Sequence, residues 1–156
     1  MELLVTLAIA SILLTVAAPS LRAFIHSNEL TGAANDFVGH LSLARSEALK
    51  RKTATVVCKS GGGSTCVSTG TWDGGWILFA DVDGDGGWSA GDMLFRTHTP
   101  ELSSTTLTTA SDKVVFDRNG KTGVATSFTF CGAAIGKART IALNQFGQHS
   151  MAPASC

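Results

Sequence analysis

Between Leu3 and Leu21 the chain carries no charged residue, reading LLVTLAIASILLTVAAPSL. A bilayer core asks for roughly 20 such residues in a helix. No basic residue precedes the run, and no loop follows it. The helical pattern continues past Arg22, whereas a secretory signal has a basic start, a shorter apolar stretch and a cleavage site. The segment therefore reads as a retained membrane helix. Pro19 lies within it, where a missing N–H is expected to kink or loosen the helix without ending it in a membrane or a filament.

Beyond this run the apolar residues change from continuous to periodic. Leu30, Ala34, Phe37, Leu41, Ala44 and Ala48 fall alternately four and three residues apart, which places them on one face of a helix. The other face carries Asn28, Glu29, Asn35, Asp36, Arg45 and Glu47, and the pattern ends on Lys50, Arg51 and Lys52. Cations there complement the helix dipole, so a solvated helix end is the favoured reading of that run. Three stretches follow: residues 1–22 as a transmembrane half-helix, 23–52 as an amphipathic half-helix, and 53–156 as the β-rich remainder of the same domain. Glu2 stands at the apolar edge, where a carboxylate is costly unless paired. A neighbouring chain's amine and the lipid headgroup level are both open to it.

After Lys52 the period shortens. Residues 53–58, 75–80, 93–96, 113–116, 127–131 and 139–143 read as short strands between Gly, Asp and Asn turns. The Thr/Ser tract at 103–111 fits an edge strand or a loop. The fold class is thus α+β, one long helix packed on antiparallel sheets. With 156 residues and zero formal net charge, the chain is sized for one core and carries no global basic field for nucleic acid. Four cysteines without a CxxC pair or a nearby His argue for disulfides and against zinc. Of the three possible pairings, Cys58–Cys66 with Cys131–Cys156 is preferred because it staples two otherwise loose segments.

The sharpest local motif is the acidic stretch from Asp81 to Asp92. Asp81, Asp83, Asp85 and Asp92 occupy positions 1, 3, 5 and 12 of an EF-hand-type loop, with Gly86 at 6 and Gly87 supplying the carbonyl at 7. Ca2+ is the cofactor this pattern raises. Against it stand the short Asp at position 12 and flanks that read as strands. An acidic hairpin turn is the simpler reading. The three tryptophans, Trp72, Trp76 and Trp88, surround this region and are read as core or hairpin packing in preference to a sticky surface.

The run MELLVTLAIASILLTVAAPSLRAF resembles the mature N-terminus of type IV pilins and type II secretion pseudopilins. The segments LSLARSEALKRKTATVVC, GGWILFADVDGDG…GDMLFR and Phe116–Gly120 resemble the FimT/FimU/GspH-type subgroup, so the likeness extends over essentially the whole chain. It implies a pilin fold and association with other pilins through the N-terminal helix. It also implies an inner-membrane location with the C-terminal part periplasmic, followed by entry into a pilus or pseudopilus. A basic leader removed by a prepilin peptidase, and a methylated new N-terminus, are expected upstream, with Met1 standing where the residue before the glutamate would be. By the same resemblance Glu2 pairs with the N-terminal amine of an adjacent subunit.

Three functions fit: a minor pilin in pilus assembly or priming, a GspH-type pseudopilin, and a DNA-binding minor pilin. The third rests on Gly136-Lys137-Ala138-Arg139, which resembles part of a basic DNA-binding motif. Where further arginines are expected the chain has Gly147-Gln148-His149-Ser150. Few cations, Lys137 and Arg139 with Lys121 or Arg118, are then left to neutralise phosphates, and ordinary strand-edge charges are the favoured reading. No nucleophile elbow or phosphate loop occurs, and the four histidines are scattered. The expected class is therefore a structural subunit without a small-molecule substrate, and not an enzyme.

Overall fold

The computed structural model describes residues 2–63, 65–99 and 105–156; within the helix, the side chains of residues 8, 10, 12, 14 and 16–18 lie outside the description. One helix, α1, spans Glu2–Arg51 and passes through Pro19 without ending. Lys52 terminates it in a left-handed conformation (φ 57°), with its N–H donating to Ala48 O. Eight strands follow: β1 Ala54–Lys59, β2 Trp76–Asp81, β3 Met93–His98, β4 Thr105–Thr108, β5 Lys113–Phe116, β6 Thr126–Gly132, β7 Lys137–Leu143 and β8 His149–Ser155. They form two antiparallel sheets, ordered β3-β2-β1-β5 and β4-β6-β7-β8. The architecture is the expected α+β arrangement of a long helix on antiparallel sheets.

The helical stripe decides how these parts meet. Leu30, Ala34, Phe37, Leu41, Ala44 and Ala48 are all buried, and each belongs to the main core with Val57, Leu78, Phe116, Phe128 and Ile141. Three alanines bring the helix backbone close to the strands, and Phe37 fills the space between the sheets. Its ring lies 4.7 Å from Phe128, 5.0 Å from Trp76, 5.6 Å from Phe130 and 5.8 Å from Trp72. Aromatic clusters of this kind add about 0.5–1.5 kcal/mol per pair beyond their buried area.

β1 and β2 are apolar almost throughout because they are covered on both faces. Val57 and Leu78 face the main core, while Val56, Cys58, Ile77 and Phe79 form a second cluster against Cys66, Trp88 and Val115. Strict alternation between the two clusters is what a pleated strand with two buried faces produces. The preferred pairings hold: Cys58–Cys66 ties the loop after β1 back to that strand, and Cys131–Cys156 ties the C-terminus to β6.

Two elements depart from the sequence expectation. β4 settles part of the Thr/Ser tract as an edge strand, with Leu107 buried opposite Phe130; residues 103 and 104 lie outside the described residues. β8 was not anticipated. All of its residues are exposed, so it has no apolar period to read, and Pro153 sits where an edge strand tolerates a missing donor. It is held by pairing along all of β7 and by the C-terminal disulfide.

Candidate assembly surface and polar sites

The first half of α1 carries apolar side chains on every side. Leu3, Leu4, Val5, Leu7, Ile9, Leu13, Leu21, Phe24 and Ile25 are all exposed. Leu30 is the first residue of α1 to enter the main core. A helix apolar all round is stable only inside a larger assembly or a membrane. Among the described residues, no helix is long and apolar enough to cross a membrane. Glu2 lies in the first turn and is exposed, where the positive end of the helix dipole favours a carboxylate.

The basic run at the other end of α1 is partly engaged. Arg51 Nε donates to Glu47 Oε2 at 2.5 Å, and Lys50 lies 3.8 Å from Glu47 Oε1. The Arg51 hydrogen bond holds the Glu47 carboxyl below its ordinary value. The Arg51 guanidinium also stands 4.8 Å over the Phe95 ring. Six residues earlier, Arg45 Nε donates to Gly120 O at 3.1 Å. Gly120 belongs to the turn Asp117–Lys121, in which Asp117 Oδ1 accepts the N–H groups of Asn119 and Lys121.

In the acidic loop, Asp81, Asp83 and Asp85 come together, with one oxygen from each within 4.8 Å of the others. Asp92 has a different task. Its Oδ1 accepts Val82 N–H at 2.8 Å and its Oδ2 accepts Ser89 N–H at 2.7 Å, closing the loop at its base. Desolvation pushes its carboxyl up, but these hydrogen bonds outweigh it and the net shift is down. Asp81 accepts the N–H groups of Gly84 and Gly86, and Gly87 donates to Asp85 Oδ1. Lys113 Nζ donates to Gly86 O at 2.6 Å. Backbone N–H groups thus engage the carboxylates from within the loop, Lys113 reaches the Gly86 carbonyl from β5, and each Asp92 oxygen already accepts one backbone N–H. Trp88 anchors the loop 5.4 Å from Phe79, and Trp72 and Trp76 are in the core.

The basic residues do not converge. Lys137 and Arg139 lie near the start of β7, the first exposed and the second half-buried. The turn bearing Arg118 and Lys121 meets the far end of β7, where Thr122 N–H donates to Gln145 O. Seven residues of strand, roughly 23 Å at about 3.3 Å each, separate Lys137 from Asn144. The tail segment Gly147-Gln148 is structural: the N–H groups of Phe146 and Gln148 donate to Asn144 Oδ1. Gly147 has φ +73°, and a Cβ there would collide with Gly120 O.

One cluster escaped the sequence reading. Asp36 and His40 are four residues apart on α1, and His98 ends β3 beside them. Asp36 Oδ2 lies 3.1 Å from His98 Nδ1 and 3.7 Å from His40 Nδ1. Trp76 stacks on His98 at 3.8 Å and donates its indole N–H to His40 Nδ1 at 3.1 Å. Burial lowers the His40 pKa, with His98 and Arg96 adding to the effect and Asp36 opposing it. A groove of about 810 Å³ runs past Asp36 and His98 and along Ala33, Trp72, Thr97 and Leu107. The Asp36/His40 spacing of four is visible in the sequence, but two residues on one helix face do not make a cluster. The approach of His98 depends on the tertiary fold.

A half-helix docked in the core, continued by a half-helix whose described large apolar side chains are exposed, fits a subunit that packs against others. The chain belongs to the family of the type II transport protein GspH, whose model matches residues 33–147. Two crystal structures of the type IV minor pilin FimU from Pseudomonas aeruginosa strain PAO1 share its fold. The P21 form has a TM-score of 0.62 at 22% identity, covering 83% of this chain and 92% of that one. The P65 form has a TM-score of 0.59 at 21% identity, covering 80% and 93%. No curated protein gives a significant sequence match.

Proposed function

We propose that this chain is a minor pilin that takes part in assembling or priming a type IV pilus. The observation that carries the reading is the apolar first half of α1, exposed on all sides beyond a domain that holds the second half firmly. Its exposed leucines and Phe24 pack among the helices of neighbouring subunits, and the β domain is presented to other minor subunits. The role is mechanical and interactional, with no catalytic step. Before assembly the tract 3–21 holds the chain in the bacterial inner membrane with residues 53–156 periplasmic. This step rests on the sequence of that tract, since no described helix meets the length and hydropathy of a membrane span. Glu2 pairs with the N-terminal amine of a neighbour and sets the axial register. Methylation of the mature N-terminus belongs to the same proposal.

A second reading, a pseudopilin of a type II secretion system, is favoured by the description of the family itself. The two readings share their packing and differ in output. Immunodetection of the chain in sheared surface filaments, with the gene expressed from its own locus, separates them. The pilus reading expects the chain in the filament fraction, loss of surface pili on deletion, and about tenfold lower incorporation for Glu2→Ala. Normal pili with failed export of secreted proteins would establish the pseudopilin instead. Unchanged incorporation of Glu2→Ala would remove the pairing role.

A further inference from the structure

We propose that Asp36, His40 and His98 form a three-ligand site for a borderline divalent cation of the Zn2+ type, clamping α1 to the end of β3. The argument is geometric. Zinc ligands at about 2.05 Å in a tetrahedron stand about 3.3 Å from one another. The Asp36 Oδ2 to Nδ1 distances, 3.1 Å to His98 and 3.7 Å to His40, bracket that edge. All three ligand atoms lie within 4.8 Å of one another. The two imidazole rings are 6.0 Å apart between centroids, so neither needs to cross the other to reach a shared ion.

The donor set selects the metal. Two imidazoles and one carboxylate suit zinc and its first-row neighbours, while calcium and magnesium prefer all-oxygen shells. The groove that Asp36 and His98 line gives room for water or a partner's side chain as a fourth ligand. The surroundings restrict the ligands as a metal site does. Asp36 and His40 share a helix face at a spacing of four, and Trp76 fixes the plane of His98 by stacking. Binding displaces two interactions, the Trp76 N–H bond to His40 Nδ1 and the direct His98 Nδ1–Asp36 Oδ2 contact. The Arg96 charge acts on His40 and opposes a second cation, which places the affinity in a moderate range.

The site can be tested on the full chain in detergent micelles, stripped with chelator and titrated calorimetrically with zinc chloride. One ion per chain is expected, with a micromolar dissociation constant and a change in tryptophan fluorescence as Trp76 gives up its bond. His98→Ala and Asp36→Asn should each weaken binding at least tenfold. The double variant Asp83→Asn/Asp85→Asn, which disrupts the acidic loop, should bind as the parent does. His98→Gln, which keeps a planar group over Trp76, is titrated alongside, and near-UV circular dichroism of the same samples separates a lost ligand from a lost fold. No saturable binding up to millimolar zinc would overturn the proposal. So would binding that survives both His98 variants, or binding lost only in the acidic-loop variant.

Discussion

The two halves of α1 are continuous in backbone and opposite in what they do with their apolar residues. From Leu30 to Ala48 every third or fourth residue is buried in the chain's own core. From Leu3 to Ile25 large apolar side chains stand in the open. The second half therefore contributes to the stability of the subunit, and the first half leaves its apolar side chains outside that core. A fully buried aliphatic or aromatic side chain contributes about 1.5–3 kcal/mol, so several exposed leucines hold a substantial driving force for association. Stability and assembly are thus separable along one helix, and substitutions in the two halves should report on different measurements.

The sharpest contrast pits Phe37 against Phe24. Phe37→Ala should destabilise the folded chain by about 3–5 kcal/mol in chemical denaturation, because it empties the space between the two sheets. A loss below 1 kcal/mol would mean that the helix is not the link between the sheets. Gly147→Ala comes next, at about 1–3 kcal/mol, since a side chain must adopt φ > 0 and displace Gly120. Arg45→Ala follows, at about 1–2 kcal/mol, leaving the Gly120 carbonyl without its charged donor.

Acid stability gives a smaller signal. The Lys121 N–H holds the Asp117 carboxyl below its ordinary value, Asn119 adds to the effect, and slight desolvation opposes it. A depressed folded-state pKa contributes stability that is present above the unfolded value of about 3.9 and is lost as pH falls through the folded value. The contribution is small because the group is well solvated. Asp117→Asn should flatten that part of the pH–stability curve. Phe24→Ala is expected to have the smallest effect on folding, within about 0.5 kcal/mol, yet to lower filament incorporation severalfold in the shearing assay. If Phe24→Ala instead destabilised the isolated subunit, the division of the helix would be wrong.

Much of this contrast was legible in the sequence. A period of three and four from Leu30 to Ala48 specifies one buried face, and all six stripe residues enter the core. The absence of charge from Leu3 to Leu21 specifies a helix without a preferred face, whatever later covers it. Strands with apolar residues at successive positions, such as 76–80, were legible because two-sided burial leaves an uninterrupted run. β8 was not, because both of its faces meet solvent and only its pairing partner defines it. The acidic motif specified a tight loop, but spacing alone did not show that Asp92 closes its base or that Lys113 contributes a cation.

Local periodicity and turn chemistry are properties of neighbouring residues, and the sequence by itself determined the helix, its two characters and most strands, while it only favoured one of three disulfide pairings. Contacts between residues far apart in the chain depend on how the sheets close over the helix. Only the tertiary structure decided that His98 meets Asp36 and His40, that Gly147 packs beneath Gly120, and that Lys137 is held away from Lys121. Each of these depends on strand order and register, which place side chains from different elements within a few ångströms or a strand's length of one another.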